Sequence, residues 1–264
     1  MADPRWKTAI TKVEPNHLVT RGYRQEDLIG NVPFSHVVFL LFKGELPTDS
    51  QGRMMDAILT ACIDHGITPP TARAARTIAT GGVPLPTAVA GGLLSIGDAH
   101  GGAIEQCARM LEQYVREGAL FGLPPHINAK HVVRKKRDEK QRILGFGHRV
   151  HTNDPRTERL VQLAKKLDIA GPHLELALHI QEELSISLER EMPLNVDGAV
   201  AAIMMDMGFP WTLGKGFFLI GRAAGLTAQV HEEMVREKPM RPMFSADHDY
   251  DGPDERDLPR DFGK

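Results

Sequence analysis

The sequence predicts an all-α protein, and three observations carry that reading. Apolar residues recur at helical spacing over most of the chain, as in Met54, Met55, Ile58, Leu59 and Cys62, or Leu160, Leu163, Ala164 and Leu167. Glycine and proline divide these runs at intervals that suit helices, as at Gly44 and Pro47, Pro69-Pro70, Pro124-Pro125 and Gly171-Pro172. Extended patterning is confined to residues 8–20, where Ile10 and Val13 precede Pro15-Asn16 and Leu18 and Val19 follow it. There is no internal repeat and no long linker.

In chain order, that extended pair leads to a short helix through Leu28 and Ile29. Ser35 is the expected N-cap of the next helix, Val37 to Phe42, which is apolar on nearly every side and should be buried. A helix over 49–63 follows, then one over 72–79. Thr87 to Ile96 is rich in small residues, which predicts a central helix that allows close packing. Helices are expected from Ala103 to about Val115, over 155–167 and 173–189, from Ala199 to Met207, and from Lys215 to Met234. The tail from Phe244 is polar, acidic and expected to be irregular.

Composition narrows the function. At 264 residues the chain can bury a large core as one or two domains. A formal net charge of -2 argues against general nucleic-acid or membrane-surface binding. Cys62 and Cys107 lie in apolar runs and read as buried thiols of a reducing compartment. With no signal-like start and no span of about 20 apolar residues, a cytoplasmic protein is expected.

The chemistry concentrates at breaks between helices. Gly145-Phe146-Gly147 forms a loop in which the backbone can take unusual angles or approach a ligand, and His148 follows at once. A Gly-x-Gly loop alone is a weak signal, because the third glycine and the preceding strand of a dinucleotide site are missing. Asp154-Pro155-Arg156 marks a turn with an arginine at the helix start. His100 sits among Gly97, Gly101 and Gly102, and Asp197 precedes Gly198. Two imidazoles and a carboxylate suit proton removal alpha to a carbonyl with stabilisation of the enolate. Arg222 lies inside a buried helix, so it needs either a structural ion partner or a carboxylate ligand. The basic run Lys130, Arg134, Lys135, Lys136, Arg137, Lys140 and Arg142 is either a solvated helix face or a phosphate-binding rim beside Gly145.

These segments resemble the citrate synthase family. Gly97-Asp98-Ala99-His100-Gly101-Gly102-Ala103 is similar to its Gly-Pro-Leu-His-Gly-Gly-Ala motif, and Gly145 to His148 to its Gly-(Phe/Tyr)-Gly-His block. Asn195-Val196-Asp197, Asp64-His65-Gly66 and Met240-Arg241-Pro242 resemble its Asn-Val-Asp, Asp-His-Glu and Arg-Pro segments. Arg21-Gly22-Tyr23 and Gly44-Glu45-Leu46-Pro47 resemble its N-terminal signatures. The resemblance implies an all-α homodimer with a large domain (1–98 and 203–264) and a small domain (99–202). It implies Asp197 as the base at carbon, His100 as donor to the thioester oxygen of acetyl-CoA, and His148 at the oxaloacetate carbonyl. His65, Arg156, Arg222 and Arg241 would hold substrate carboxylates, one arginine coming from the neighbouring subunit. Coenzyme A would meet Arg134, Lys135, Arg142, Gly145, Phe146 and Gly147.

Only one helix fits between Pro47 and His65, where citrate synthases carry a longer insertion. Asp-His-Gly replaces Asp-His-Glu, and Thr68 stands where asparagine is usual. Residues 95–98 and 194–198 look closer to the compact citryl-CoA lyase type, like the module that ends ATP-citrate lyase. That type cleaves citryl-CoA to acetyl-CoA and oxaloacetate. A short citrate or 2-methylcitrate synthase, or a lyase of a related 3-hydroxy-3-carboxyacyl-CoA, remains the alternative. His148-x-x-His151 also admits a metal-dependent hydrolase, although Asp154-Pro155 favours a loop and no metal is expected. A scaffold that has lost the chemistry is disfavoured by the intact His100, His148 and Asp197 set.

Overall fold

A computed structural model of the chain describes residues 6–147, 154–242 and 252–257. A small antiparallel sheet opens the fold: β1 (Thr11–Glu14), β2 (His17–Thr20) and β3 (Tyr23–Arg24), in that order. Thr11 pairs with Thr20 and Glu14 with His17 around the turn at Pro15-Asn16, so the extended pair is present and gains a third strand. Arg21, in the tight turn after β2, donates from Nε and Nη2 to the Leu41 carbonyl at 3.1 and 2.7 Å, which ties the sheet to the helix that follows.

The rest of the described chain is helical: α1 (Gln25–Leu28), α2 (Phe34–Lys43), α3 (Asp49–Ala61), α4 (Pro70–Thr80), α5 (Leu85–Leu93), α6 (Ala103–Phe121), α7 (Pro125–Asp138), α8 (Pro155–Lys166), α9 (Pro172–Leu188), α10 (Val196–Asp206) and α11 (Gly214–Arg236). Several boundaries differ from expectation by a few residues, and two have a plain physical cause. α2 is capped by Pro33, whose ring sets φ at -57°, so the helix starts at Phe34 and Ser35 lies buried in its first turn. α6 passes through Gly118, where Asn128 packs too closely for a side chain, and runs to Phe121, where Gly122 takes φ +61° and ends it.

α3 shows how sequence sets packing here. Thr48 and Gln51 form a reciprocal capping box, at 3.2 Å to the Gln51 amide and 3.0 Å back to the Thr48 amide. The helix then buries Met54, Met55, Ile58 and Leu59, each contributing roughly 1.5–3 kcal/mol relative to exposure. That face joins a core cluster that continues through α6 and α8 to α10. Phe209 holds α2 to α11 through edge contacts with Phe39 (5.3 Å) and Phe217 (5.0 Å).

A second cluster joins α4, α5 and α11 through Ala72, Ala75, Ala88, Leu226 and Val230. The small residues of α5 do permit a close approach. A Cβ on Gly92 would lie 2.8 Å from the Ala75 Cβ and 2.9 Å from the Thr71 carbonyl. The helix is nevertheless not central, since only Ala88 and Gly92 are buried and Leu94 at its C-cap is 85% exposed. Small residues dictate how near a neighbour comes, not how many neighbours there are.

Asp206 fixes the start of α9. Its carboxylate accepts from the amides of Gly171 (2.9 Å), His173 (3.0 Å) and Leu174 (3.0 Å) and contacts His173 Nδ1 at 2.8 Å. Asp206→Ala strands these donors at a buried helix end, and a loss of about 2–4 kcal/mol is expected in urea denaturation.

Candidate active site

The site is built where three breaks between helices meet. The loop Gly97–Gly102 is pinned by amide–carbonyl bonds between Gly97 and His100 in both directions, each 2.9 Å, and from Gly102 to the Gly97 carbonyl, 3.0 Å. A Cβ on Gly102 would lie 2.5 Å from the Asp98 Cα, so this turn admits no side chain there. Lys215 at the start of α11 ties the loop down by pairing with Asp98 (2.8 Å) and Glu105 (3.3 Å). His100 therefore faces α4 and α11. Its Nε2 lies 3.1 Å from Thr71 Oγ1, and its ring meets Phe218 edge-on at 5.5 Å.

Thr71 also accepts a hydrogen bond from Arg222 Nη1, 3.2 Å away. Arg222 is buried, donates from Nε to the Cys62 carbonyl at 3.1 Å, and lies over the Phe218 ring at 4.7 Å. Burial lowers the His100 pKa, and the Arg222 charge lowers it further, so the imidazole is neutral near pH 7.

Asp197 lies in the first turn of α10, which Asn195 caps through its Oδ1 and the Gly198 amide, 3.1 Å apart. The Gly145–Gly147 loop lies directly on this turn. The Asn195 amide donates to the Gly145 carbonyl at 3.0 Å, Asn195 Nδ2 to the Gly147 carbonyl at 2.9 Å, and the Gly147 amide to Pro193 at 2.7 Å. Gly145 and Gly147 have φ of +90° and +74°, and a Cβ on Gly198 would stand 2.3 Å from the Gly145 carbonyl oxygen. Asp197 keeps a small opening to solvent but is packed by protein on almost every side. Burial raises its pKa and the Asp154 charge adds to this, while Arg156 and Arg222 oppose. The same burial, with the Asp197 charge nearby, pushes the Cys62 and Cys107 thiols up to about 12, so both are inert and protonated.

Arg156 opens α8 and is held side-on by Asp154, from Nε at 3.0 Å and Nη2 at 2.7 Å. His65 sits half-buried in the turn closed by the Gly66 amide on Asp64, 2.9 Å. Asp64 and Arg156 line a cleft of about 780 Å³ between α3 and α8, but His100, Asp197 and Arg222 do not line it.

The structure thus brings His100 and Arg222 together through Thr71, and the Arg156 and Arg222 charges to bear on Asp197. His148 lies outside the described residues, as does His151. Arg241 is placed elsewhere, against Glu233 near the end of α11. Arg134 and Lys135 lie on α7, Arg134 beside Asp138 and Lys135 over the Tyr114 ring, and Arg142 is exposed in the segment leading to Gly145. Thr71, which joins His100 to Arg222, carries little signal in the sequence beyond a hydroxyl just inside a Pro-Pro helix start. Asp154 was read only as part of a turn, not as the clamp on Arg156.

The chain as a whole is similar to known proteins. Residues 48–243 match the family described as citrate synthase, C-terminal domain. The chain belongs to the citrate synthase family. The structure of citryl-CoA lyase from Hydrogenobacter thermophilus is 43% identical, with a TM-score of 0.90 over 98% of this chain and 99% of that one. Citrate synthase 2 of Bacillus subtilis is 30% identical over 81% of this chain and 54% of its own length. ATP citrate lyase of Methanothrix soehngenii, solved with citrate and coenzyme A, shares the fold at 22% identity and a TM-score of 0.82, over 97% of this chain and 43% of that one. The chain spans about half the length of the curated citrate synthases it matches.

The raised pKa of Asp197 has a consequence for stability. Above its folded pKa the buried carboxylate is ionised and its desolvation opposes folding; that penalty fades as pH falls towards the unfolded value. Asp197→Asn should therefore raise Tm at pH 7–8, and the gain should shrink on acidification. Turnover should fall by about 10² to 10⁴ if the carboxyl moves the proton. Scanning calorimetry across pH, with rates on the same samples, checks both.

Proposed function

We propose that the protein is a citryl-CoA lyase, cleaving citryl-CoA to acetyl-CoA and oxaloacetate. The observation that carries this is the near end-to-end match to a citryl-CoA lyase at 43% identity, achieved with a single helix, α3, between Pro47 and His65. The chemistry of the site supports the same reading. His148 removes the proton from the citryl hydroxyl. The C–C bond then breaks, the electrons of the former hydroxyl form the oxaloacetate carbonyl, and those of the broken bond form the enolate of acetyl-CoA. Asp197 returns a proton to the enolate carbon, for which a carboxyl with a raised pKa is suited.

His100 stabilises the enolate oxygen as a neutral donor. Thr71 Oγ1 accepts from Arg222 and lies within hydrogen-bond distance of His100 Nε2, so one hydroxyl orients both side chains. His65, Arg156, Arg222 and Arg241 hold the carboxylates, Arg241 from the neighbouring subunit of a homodimer. The exposed small-residue face of α5 supports such a dimer. Arg134, Lys135 and Arg142, with the Gly145, Phe146 and Gly147 backbone, receive coenzyme A, and a cytoplasmic location fits the buried thiols. A large domain of 1–98 and 203–264 and a small one of 99–202 would close over the substrate.

The same residues run synthesis in reverse, so the assay is direct. Purified protein mixed with citryl-CoA should release oxaloacetate and acetyl-CoA without ATP or added metal. Condensation of acetyl-CoA and oxaloacetate to free citrate, with no cleavage of citryl-CoA, would make it a short citrate synthase instead.

A further inference from the structure

We propose that Glu233 is a positioning residue for Arg241, holding the guanidinium so that its outer edge faces a substrate carboxylate in the neighbouring subunit. This rests on the reading of Arg241 as a ligand across a dimer. Glu233 lies in the last turns of α11, and its side chain is 2% exposed. Its oxygens accept from Arg241 Nε at 2.5 Å and Nη2 at 2.6 Å, and Oε2 also accepts from Arg76 Nε at 2.8 Å. Arg76 is shared with Glu232, which its Nη1 meets at 3.0 Å, so Glu233 is held between Arg76 on its inner side and Arg241 on its outer side.

The geometry explains the second guanidinium. A side-on pair occupies the Nε–Nη2 edge of an arginine and leaves the Nη1–Nη2 edge as another fork for a carboxylate. Asp154 holds Arg156 by the same edge, at 3.0 and 2.7 Å, and Arg156 is a proposed substrate ligand. The two pairs share one design: a buried carboxylate behind an arginine that presents its free fork. Arg241 has little other freedom. It lies between Pro239 and Pro242, and the Met240 amide is bound to the Thr80 carbonyl at 2.9 Å.

Glu233 follows Arg222 by eleven residues in one helix, about 16 Å along its axis. A guanidinium fastened to Glu233 thus stands away from Arg222, as a ligand reaching a neighbouring subunit requires. Arg76 continues the network inward, through Gln229 Oε1 at 2.7 Å, whose Nε2 reaches Asp64 beside His65.

The test compares Glu233→Gln, Arg241→Ala and the double variant in the full-length protein, assayed in the condensation direction. Glu233→Gln should raise KM for oxaloacetate about tenfold, leave KM for acetyl-CoA nearly unchanged, and add nothing once Arg241 is alanine. A purely structural Glu233 would lower Tm in both backgrounds and leave KM for oxaloacetate as it was, which overturns the proposal. If Arg241→Ala itself leaves that KM unchanged, or if mixing it with Asp197→Asn restores no activity in proven heterodimers, the underlying reading of Arg241 fails and the proposal with it. Should Glu233→Gln not fold, Glu233→Asp keeps the buried charge but shortens its reach and breaks the side-on grip on Arg241, and the same KM pattern is expected.

Discussion

The candidate site depends on how closely the Gly145–Gly147 loop lies against the first turn of α10. With the Gly145 carbonyl only 2.3 Å from where a Gly198 Cβ would be, neither residue can be anything larger without parting the two segments. Asn195 stitches them together on both sides, to Gly145 and to Gly147. The result is a carboxylate, Asp197, presented at a helix entrance but sealed by backbone. Its raised pKa follows from that packing, since burial outweighs the two arginine charges that act against it.

Around this carboxylate, each polar group is held by a partner that also limits what it can do. Thr71 serves His100 and Arg222 at once, so one hydroxyl helps to orient both side chains. Asp154 turns Arg156, and Lys215 anchors the loop that carries His100. Such rigidity suits a site whose charges must be in place before the reaction begins. It comes with desolvation, in a carboxylate that would be more stable in water, and with glycines at positions where the backbone turns to positive φ.

The helices were legible because their punctuation is strong. The inner face of α3 and the starts of α8 and α9 follow directly from spacing and from prolines at the first helical position. His100, Asp197 and Arg222 were legible because glycine or an apolar run marks an otherwise odd place for a charged or titratable side chain. The pairings were not. Nothing local says that Thr71 bonds Arg222, 151 residues away, or that Glu233 collects both Arg76 and Arg241. Exposure of α5 was also illegible, because small residues look the same whether their partner is in this chain or in another one.

The measurement that bears most directly on the account is the titration of the Asp197 carboxyl, followed by carbon-13 NMR with Asp197→Asn for assignment. A midpoint well above the ordinary aspartate value, moving higher when Arg156 is replaced by alanine, is the expected result. A midpoint at or below the ordinary value would contradict the account, because a carboxyl that ionises as readily as one in water is neither desolvated nor suited to hand a proton to carbon.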